Sequence, residues 1–500
     1  MIATIVNALP EAVSIVFSWP AFGLLVAGVI FGITLGSIPG IGSVIGMAVT
    51  LPLTLTLSGA EALIFLTAIY SGAMYGSSVS AILVNVPGTP ASAASIYDGY
   101  PMTKQGKAKD ALAISATSSA LGGMTTVIAL FVVTPLISSV VLLFGTPHIF
   151  LVTILGIIMI AVIAAQGSTI KGILAGAFGL LIMTVGTAPT TPAGRYTFDT
   201  YLLLNGLSFV AILLGVFAIA EMIRIIDVEG GTAAEIAELG GSTIRGVKTA
   251  ISNKLLMLRS SFIGLVIGSL PGAGGAVSNF IAYAIEVQQS DDPDSYGNGN
   301  PRGLIATESS NNGTVAGSLI PVLSFGIPGS PSTAILLGAF LVHGIDPGPT
   351  LFENSLSLIY ALISSLIISN VLIIVVGLAL IASFGYKISL VNTKYIVPIV
   401  VVLAALGTIS LRSNPVDLLT ILLFGVVGLL MKRYNYSIVA LVLGAVLGTL
   451  SERTLNRSLI LSNGSPNIFV GDPLAILLIS LIVAVLLVPI LKGPVQRVRS

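Results

Sequence analysis

Gly36-Ser37-Ile38-Pro39-Gly40-Ile41-Gly42, with Gly32 one helical turn before it, returns as Gly268-Ser269-Leu270-Pro271-Gly272-Ala273-Gly274, preceded by Gly264. The offset is 232 residues, measured either from Gly32 to Gly264 or from Pro39 to Pro271. A second pattern recurs in the same order. Gly72, Gly76-Ser77 and Pro87-Gly88-Thr89-Pro90 correspond to Gly313, Gly317-Ser318 and Pro328-Gly329-Ser330-Pro331, at an offset of 241. Two motifs that keep their order and nearly their spacing mark an internal repeat. Proline lacks an amide hydrogen and pushes the preceding residue out of the helical region, while glycine permits backbone angles that other residues resist. Ser37–Gly42, Ser269–Gly275, Pro87–Pro90 and Pro328–Pro331 are therefore expected to be non-helical breaks in apolar surroundings.

Those surroundings set the class. Of 500 residues, 55% are apolar and 8% charged, too few charges for a water-soluble surface and too apolar for a disordered chain. Twenty-one basic residues against 20 acidic ones leave a net charge of +1, so there is no footprint for nucleic acid. No cysteine is present, which excludes thiol catalysis, disulfides and thiolate metal sites. The chain reads as an all-α polytopic membrane protein of about 12 membrane helices at roughly 20 apolar residues each. Its N-terminus does not read as a cleavable signal peptide, because the first basic residue is Lys104. The expected units are membrane repeat 1 (1–224), a cytoplasmic linker (225–259), membrane repeat 2 (260–450), and an outer loop, last helix and cytoplasmic tail (451–500).

Charge decides how the repeats are oriented. No Lys or Arg precedes the first motif in repeat 1, whereas Arg245, Lys248, Lys254 and Arg259 precede it in repeat 2. After the second motif the bias reverses: Lys104, Lys107 and Lys109 stand against His343, Asp346 and Glu353. Equivalent loops then lie on opposite sides by the positive-inside rule, and the repeats are expected to be inverted. Counting spans from 98–110 as cytoplasmic puts the N-terminus outside and the C-terminus inside, with Lys171, Lys387, Lys394, Lys432, Arg433, Lys492, Arg497 and Arg499 cytoplasmic. Arg412, Arg453 and Arg457 fall outside. The acidic run Asp291-Asp292-Pro293-Asp294 reads as a solvated outer loop, and Glu61 and Glu221 as solvated span ends.

Inverted repeats with broken helices or re-entrant hairpins characterise secondary transporters, whose sites form where the breaks meet. Broken backbone at membrane depth is tolerated only where it is buried in protein or lines a cavity. A break exposes the N–H groups of the next half-helix to an anion and leaves carbonyls for a small cation. Candidate substrate-binding residues are Ser77, Ser78, Ser80, Asn85, Pro87, Gly88, Thr89 and Ser92 in the first half, and Asn311, Asn312, Ser324, Pro328, Gly329, Ser330 and Ser332 in the second. Candidates for cation coupling are Ser37, Gly40, Gly42, Gly272, Gly274, Glu308 and Thr314. No cofactor is expected beyond a coupling sodium ion or proton, and no metal site beyond sodium. Ser43, Ser278 and Asn279 read either as ligands or as helix caps. The Gly-xxx-Gly pairs read as close helix packing. No arginine lies within the four motifs, so a guanidinium clamp is not expected. An intramembrane hydrolase is the alternative class, but its Ser–His pair would have to draw on His148 and His343, which flank loops.

The run Tyr75-Gly76-Ser77-Ser78-Val79-Ser80-Ala81-Ile82-Leu83-Val84-Asn85-Val86-Pro87-Gly88-Thr89-Pro90-Ala91-Ser92, followed by Asp98-Gly99-Tyr100-Pro101, resembles the large integral-membrane subunit of tripartite tricarboxylate transporters. Glu308…Asn311-Asn312 and Gly326-Ile327-Pro328-Gly329-Ser330 look like the matching second-half signature, and the resemblance covers most of 20–350. It implies a bacterial or archaeal inner-membrane importer of citrate-like or other carboxylates and no enzymatic activity. It also implies a sodium or proton gradient as driving force, a small four-helix membrane subunit and an extracytoplasmic carboxylate-binding protein. A stand-alone carboxylate transporter would share everything but these partners. The absence of a GxxxxGK[ST] loop agrees with an ATP-independent mechanism.

Overall fold

A computed structural model describes residues 2–163, 169–188, 193–227, 239–383 and 396–496. Lys387, Lys394, Arg497 and Arg499, which contribute to the charge reading, lie outside the described residues, as does 228–238 of the linker. Helices α1 (Ile2–Phe17) and α2 (Ala21–Gly36) meet at 66°. After a break at 37–41, α3 (Gly42–Thr50) folds back so that Gly46 faces the Leu35 side chain, and a 3-10 turn at Leu51–Thr56 leads to α4 (Gly59–Val84). A second break and a 3-10 turn (Pro90–Ser95) lead into α5 (Ile96–Lys104) and the long α6 (Ala108–Val141).

Two shorter apolar helices follow, α7 (Thr146–Ile163) and α8 (Thr169–Ile182). A two-residue antiparallel ladder joins Gly186–Thr187 to Gly194–Arg195. Next comes a helix that runs as α9 (Phe209–Leu213), a π turn (Leu214–Ile219) and α10 (Ala220–Asp227).

The second half starts with α11 (Thr243–Ser252) and α12 (Lys254–Gly268), bent by 75°. It continues with a break at 269–273, α13 (Gly274–Gln288), α14 (Pro301–Phe325), a further break, α15 (Pro331–Val342) and α16 (Pro349–Asn354). The chain closes with α17 (Leu356–Ser383), α18 (Ile396–Arg412), α19 (Pro415–Arg433), α20 (Ile438–Leu461) and α21 (Pro473–Gln496). The all-helical architecture is as the sequence predicts. Among the described residues, six helices are long and apolar enough to cross a membrane, or eight if each bent pair is one span. That is fewer than the dozen expected. Stretches such as 42–57 and 332–345, apolar enough to count in the arithmetic, form short helices beside the breaks.

The glycine pairs are packing devices, as the sequence reading favours. A methyl group at Gly72 would stand 2.6 Å from the Val29 carbonyl oxygen, and one at Gly36 would stand 2.5 Å from that of Ala73. In the second half, methyls at Gly313 and Gly268 would meet the Ser261 and Thr314 carbonyls at 2.8 and 2.9 Å. So α2 lies on α4, and α12 on α14, with backbones in direct contact.

One topological expectation is overturned. Arg259 on α12 binds both Glu286 and Gln289 at the far end of α13, so these helices form an antiparallel hairpin and not one crossing. Arg302 Nη1 donates to Asn253 Oδ1 at 3.0 Å, and Gln105 Nε2 donates to the Asn298 carbonyl at 2.7 Å. The acidic run Asp291–Asp294 therefore lies on the same side as 98–110 and 242–259, not on the opposite one. Asp98 fastens this face: its Oδ1 accepts from the Gly299 and Asn300 amides at 3.0 and 2.8 Å. Arg412, an unfavourable charge in the sequence reading, is neutralised by Asp417 at 2.5 Å and caps the Asn205 and Gly206 carbonyls.

Candidate functional site

The four breaks have matching local structure. Gly40 and Gly42 adopt φ of 78° and 53°, and Gly272 and Gly274 adopt 80° and 56°. These are left-handed values that glycine alone takes without strain. α4 ends on Asn85 at φ 60°, and α14 ends on Gly326 at φ 66°. Beyond each end the same capping box starts the next helix. Thr89 Oγ1 accepts from Ser92 N at 3.3 Å, and Ser330 Oγ accepts from Thr333 N at 3.3 Å.

Within each half, the double-proline break seats on the first break. A methyl at Gly88 would lie 2.6 Å from the Gly36 carbonyl oxygen and 2.9 Å from Ser77 Cα. At Gly329 it would lie 2.8 Å from the Gly268 carbonyl oxygen and 3.0 Å from Ser318 Cα. Only glycine fits either position, so Gly88 and Gly329 are fixed by geometry.

The two halves then meet through polar groups. Ser43 and Ser332 hydroxyls are 2.8 Å apart. Tyr70 reaches Ser318 and Ser330 at 3.1 and 3.2 Å. Asn311 Nδ2 donates to the Met74 carbonyl at 3.0 Å, and Asn279 Nδ2 donates to Asn311 Oδ1 at 3.1 Å and to the Ala91 carbonyl at 2.8 Å. Asn279 is thus a bridge between halves, not a helix cap. Sequence reading missed Tyr70, an aromatic residue in an apolar helix that nothing local distinguishes from core.

Glu308 is completely buried. Ser95 donates to its Oε1 at 2.5 Å, while Oε2 has no protein partner among the described residues. Ser78 and Ser115 bring hydroxyls to the same carboxyl without meeting hydrogen-bond geometry. Elsewhere in the interior, Thr67, Ser71, Ser309 and Ser310 are buried hydroxyls without a hydrogen-bond partner among the described residues. A buried carboxyl oxygen without a partner, beside the hydroxyls of Ser78, Ser95 and Ser115, is costly unless it serves a proton, an ion or water. Asn312 Nδ2 points away from it, to Asn370 Oδ1 on α17 at 2.9 Å.

Other candidates have local partners. Ser80 bonds to the Ser77 carbonyl, Thr314 to the Asn311 carbonyl and Ser37 to the Ile33 carbonyl, at 3.2, 2.6 and 2.7 Å. Asn85 is exposed, and its part is to end α4. Ser324 is buried with no protein partner, and Pro87 and Pro328 shape their turns.

Two expectations about charge need correcting. Glu221 is buried, not a solvated span end: Arg224 holds it through Nε at 2.8 Å and through Nη2, and Lys432 pairs with its other oxygen. The Arg224 guanidinium also stands beside the first break, where a methyl on Gly40 would lie 3.4 Å from Nη2. An arginine therefore does reach a motif, brought from α10 by the fold. Glu61, by contrast, sits in the capping box of α4 with Ser58. Among the described residues no three His, Asp or Glu side chains converge as a metal site would need. His148 bonds to Asp472 at 2.8 Å and accepts from the Gly145 amide, and His343 lies 3.3 Å from Thr54 Oγ1. No described serine is hydrogen-bonded to a histidine.

Comparison with known proteins agrees with these features. The family model of the tripartite tricarboxylate transporter TctA family matches residues 22–443. A 52.8 kDa protein encoded in the TAR-I ttuC' 3' region of Agrobacterium vitis, described as uncharacterized, is 35% identical over 471 residues, covering 93% of this chain and 92% of the relative. Another protein, from the TAR-II ttuC' 3' region of the same organism, is 35% identical over 218 residues, covering 44% of this chain and 90% of its own length. No solved structure matches. With its multi-pass helical fold, the chain belongs to the tripartite tricarboxylate transporter TctA family.

Proposed function

We propose that this membrane subunit carries tricarboxylates or related organic carboxylates by alternating access, with the acid held where the four breaks meet. One observation carries the reading: each double-proline break packs on the first break of its own half, and the pairs touch across the middle at Ser43 and Ser332. Such a junction gathers helix starts and hydroxyl groups where lipid cannot reach. The capped helix starts at Thr89 and Ser330 would present amides to carboxylate oxygens, supported by Ser77, Ser92 and Ser332. Glu308, with the hydroxyls of Ser78, Ser95 and Ser115, would bind the driving ion, a sodium ion or a proton.

The matched break angles and the reciprocal contacts of the halves support an inverted repeat. Alternating access would then be an exchange of contacts between two similar halves. The family membership supports partner subunits; the proposed ones are a small four-helix membrane subunit and an extracytoplasmic carboxylate-binding protein. The setting is the cytoplasmic membrane of a bacterium or archaeon. The test is uptake of labelled citrate and other di- and tricarboxylates into proteoliposomes, with and without a sodium or proton gradient and the two partners. Gradient-dependent uptake is the expected result. Its absence with folded protein under every gradient and partner combination would overturn the reading.

A further inference from the structure

We infer that Arg224 contacts the transported acid: its guanidinium, held by Glu221 beside the Gly40 break, takes one carboxylate of the substrate. The inference rests on the transport reading above and adds a charged, specificity-determining group to a site otherwise built of neutral ones.

Position is the first argument. The guanidinium stands at Gly40, and two residues further on a methyl at Gly42 would meet the Gly88 carbonyl oxygen at 2.7 Å, beside Thr89. Guanidinium, first break and capped helix start follow one another along a single line of contacts. A di- or tricarboxylate bound at the Thr89 cap would have a second carboxylate to place, and a fixed cation lies along that line.

Charge is the second. Buried Glu221 is shared by Arg224 and Lys432, two cations on one carboxylate. The triad as built sums to a charge of +1, with Arg224 and Lys432 reaching the surface, so it attracts an anion. Both guanidinium contacts to Glu221 use Nε and Nη2, and Nη1 makes no hydrogen bond among the described residues. With 47% of its side-chain surface exposed, Arg224 is open to a ligand.

Local backbone geometry is the third. The π turn Leu214–Ile219 lies immediately before Glu221. Such a turn rotates everything after it relative to a regular helix, and π turns are retained at functional positions despite their cost. Here it is clamped against α19, where Gly215 has room only for hydrogen between the Phe424 side chain and the Ile421 carbonyl. Without the turn, Glu221 and Arg224 would point elsewhere.

The test uses the full chain with the partners that give uptake, in vesicles of neutral phosphatidylcholine and, separately, with added anionic phospholipid. R224K keeps the charge but loses the planar two-point donor. It is expected to raise KM for citrate or the best acid of the panel by about ten- to a hundred-fold, the worth of a charge-assisted bond, with kcat much less affected. R224Q could leave Glu221 poorly compensated, so E221Q/R224Q, which keeps the cluster at a charge of +1 and is checked for elution as a single species, serves as the second variant and is expected to show the same rise in KM. A KM unchanged in R224K and in the double variant would overturn the inference while leaving transport intact. A defect seen only with anionic phospholipid would assign the guanidinium to a lipid phosphate and equally overturn it. Failure of the wild-type protein to take up any acid of the panel would instead bring down the transport reading and this inference with it.

Discussion

The hydroxyls of Ser43 and Ser332, 289 positions apart in the chain, lie 2.8 Å from one another in the buried middle of the protein. Ser43 follows the first break of one half, and Ser332 follows the second break of the other. The corresponding contact, generated by exchanging the halves, is Gly275 against Ala91, where a methyl on the glycine would stand 2.9 Å from Ala91 Cβ. One side of the junction is thus hydrogen-bonded and the other closes by small apolar groups. If the halves exchange contacts as proposed, the two resulting states would differ at this junction.

If the serine pair stabilises one of those states, S43A and S332A should each alter uptake rate, and the double variant should be no worse than the stronger single one. The expected coupling is about 0.6 kcal/mol, typical of a hydrogen bond between membrane helices. A double-mutant cycle on initial rates, with chemical denaturation as a check on folding, measures it. Additive effects would mean that the hydroxyls act separately.

Gly329 has no room for a side chain between the Gly268 carbonyl and Ser318. G329A should push the double-proline break off the first break, at a cost of roughly 1–3 kcal/mol for an overpacked contact. Uptake should be lost while the protein still inserts and elutes as a single species. G88A should behave likewise, because the matching contact in the first half is equally tight. Normal uptake by either variant would show that the breaks need not touch.

How much of this was legible beforehand follows from the range of each interaction. Proline and glycine act on their own backbone, so all four breaks could be read from the sequence, as could the packing glycines that recur every fourth residue. The hairpin of α12 and α13 could not. An apolar stretch from 260 to 285 is long enough for one crossing or for two half-helices, and only the pairing of Arg259 with Glu286 separates them. Arg224 and Tyr70 escaped for a related reason. Their relevance depends on which helix lies alongside, and for Arg224 on a π turn with no sequence mark beyond ordinary apolar residues. The Glu221-to-Arg224 spacing of three was the one available hint, since residues three apart share a helix face.

Glu308 offers a sharper separation of binding from coupling. Its Oε2 has no protein partner among the described residues, and E308Q preserves shape while removing the ability to exchange a proton or to neutralise a cation. Gradient-driven accumulation should fall by roughly 5- to 150-fold, the range of ordinary coupling energies. Exchange of internal for external labelled acid, which needs no net ion movement, should persist. Loss of both activities in folded protein would place Glu308 in substrate binding and not in coupling.

The corrected topology can be checked without transport. The chain has no cysteine, so single cysteines can be introduced against a silent background. The contacts of Arg302 with Asn253 and of Gln105 with Asn298 put the 291–300 loop on the face that carries 242–259. D294C and T249C should therefore react with a membrane-impermeant maleimide from the same side of sealed vesicles. N463C, in the turn after α20, should react from the other side, because α20 begins near Tyr434, whose carbonyl accepts from Lys171, and runs past Arg195, which pairs with Glu452 at 2.6 Å, before it reaches that turn. Labelling of D294C together with N463C would restore a full crossing at 260–285 and dismantle the α12–α13 hairpin, and with it the second re-entrant break on which the site is built.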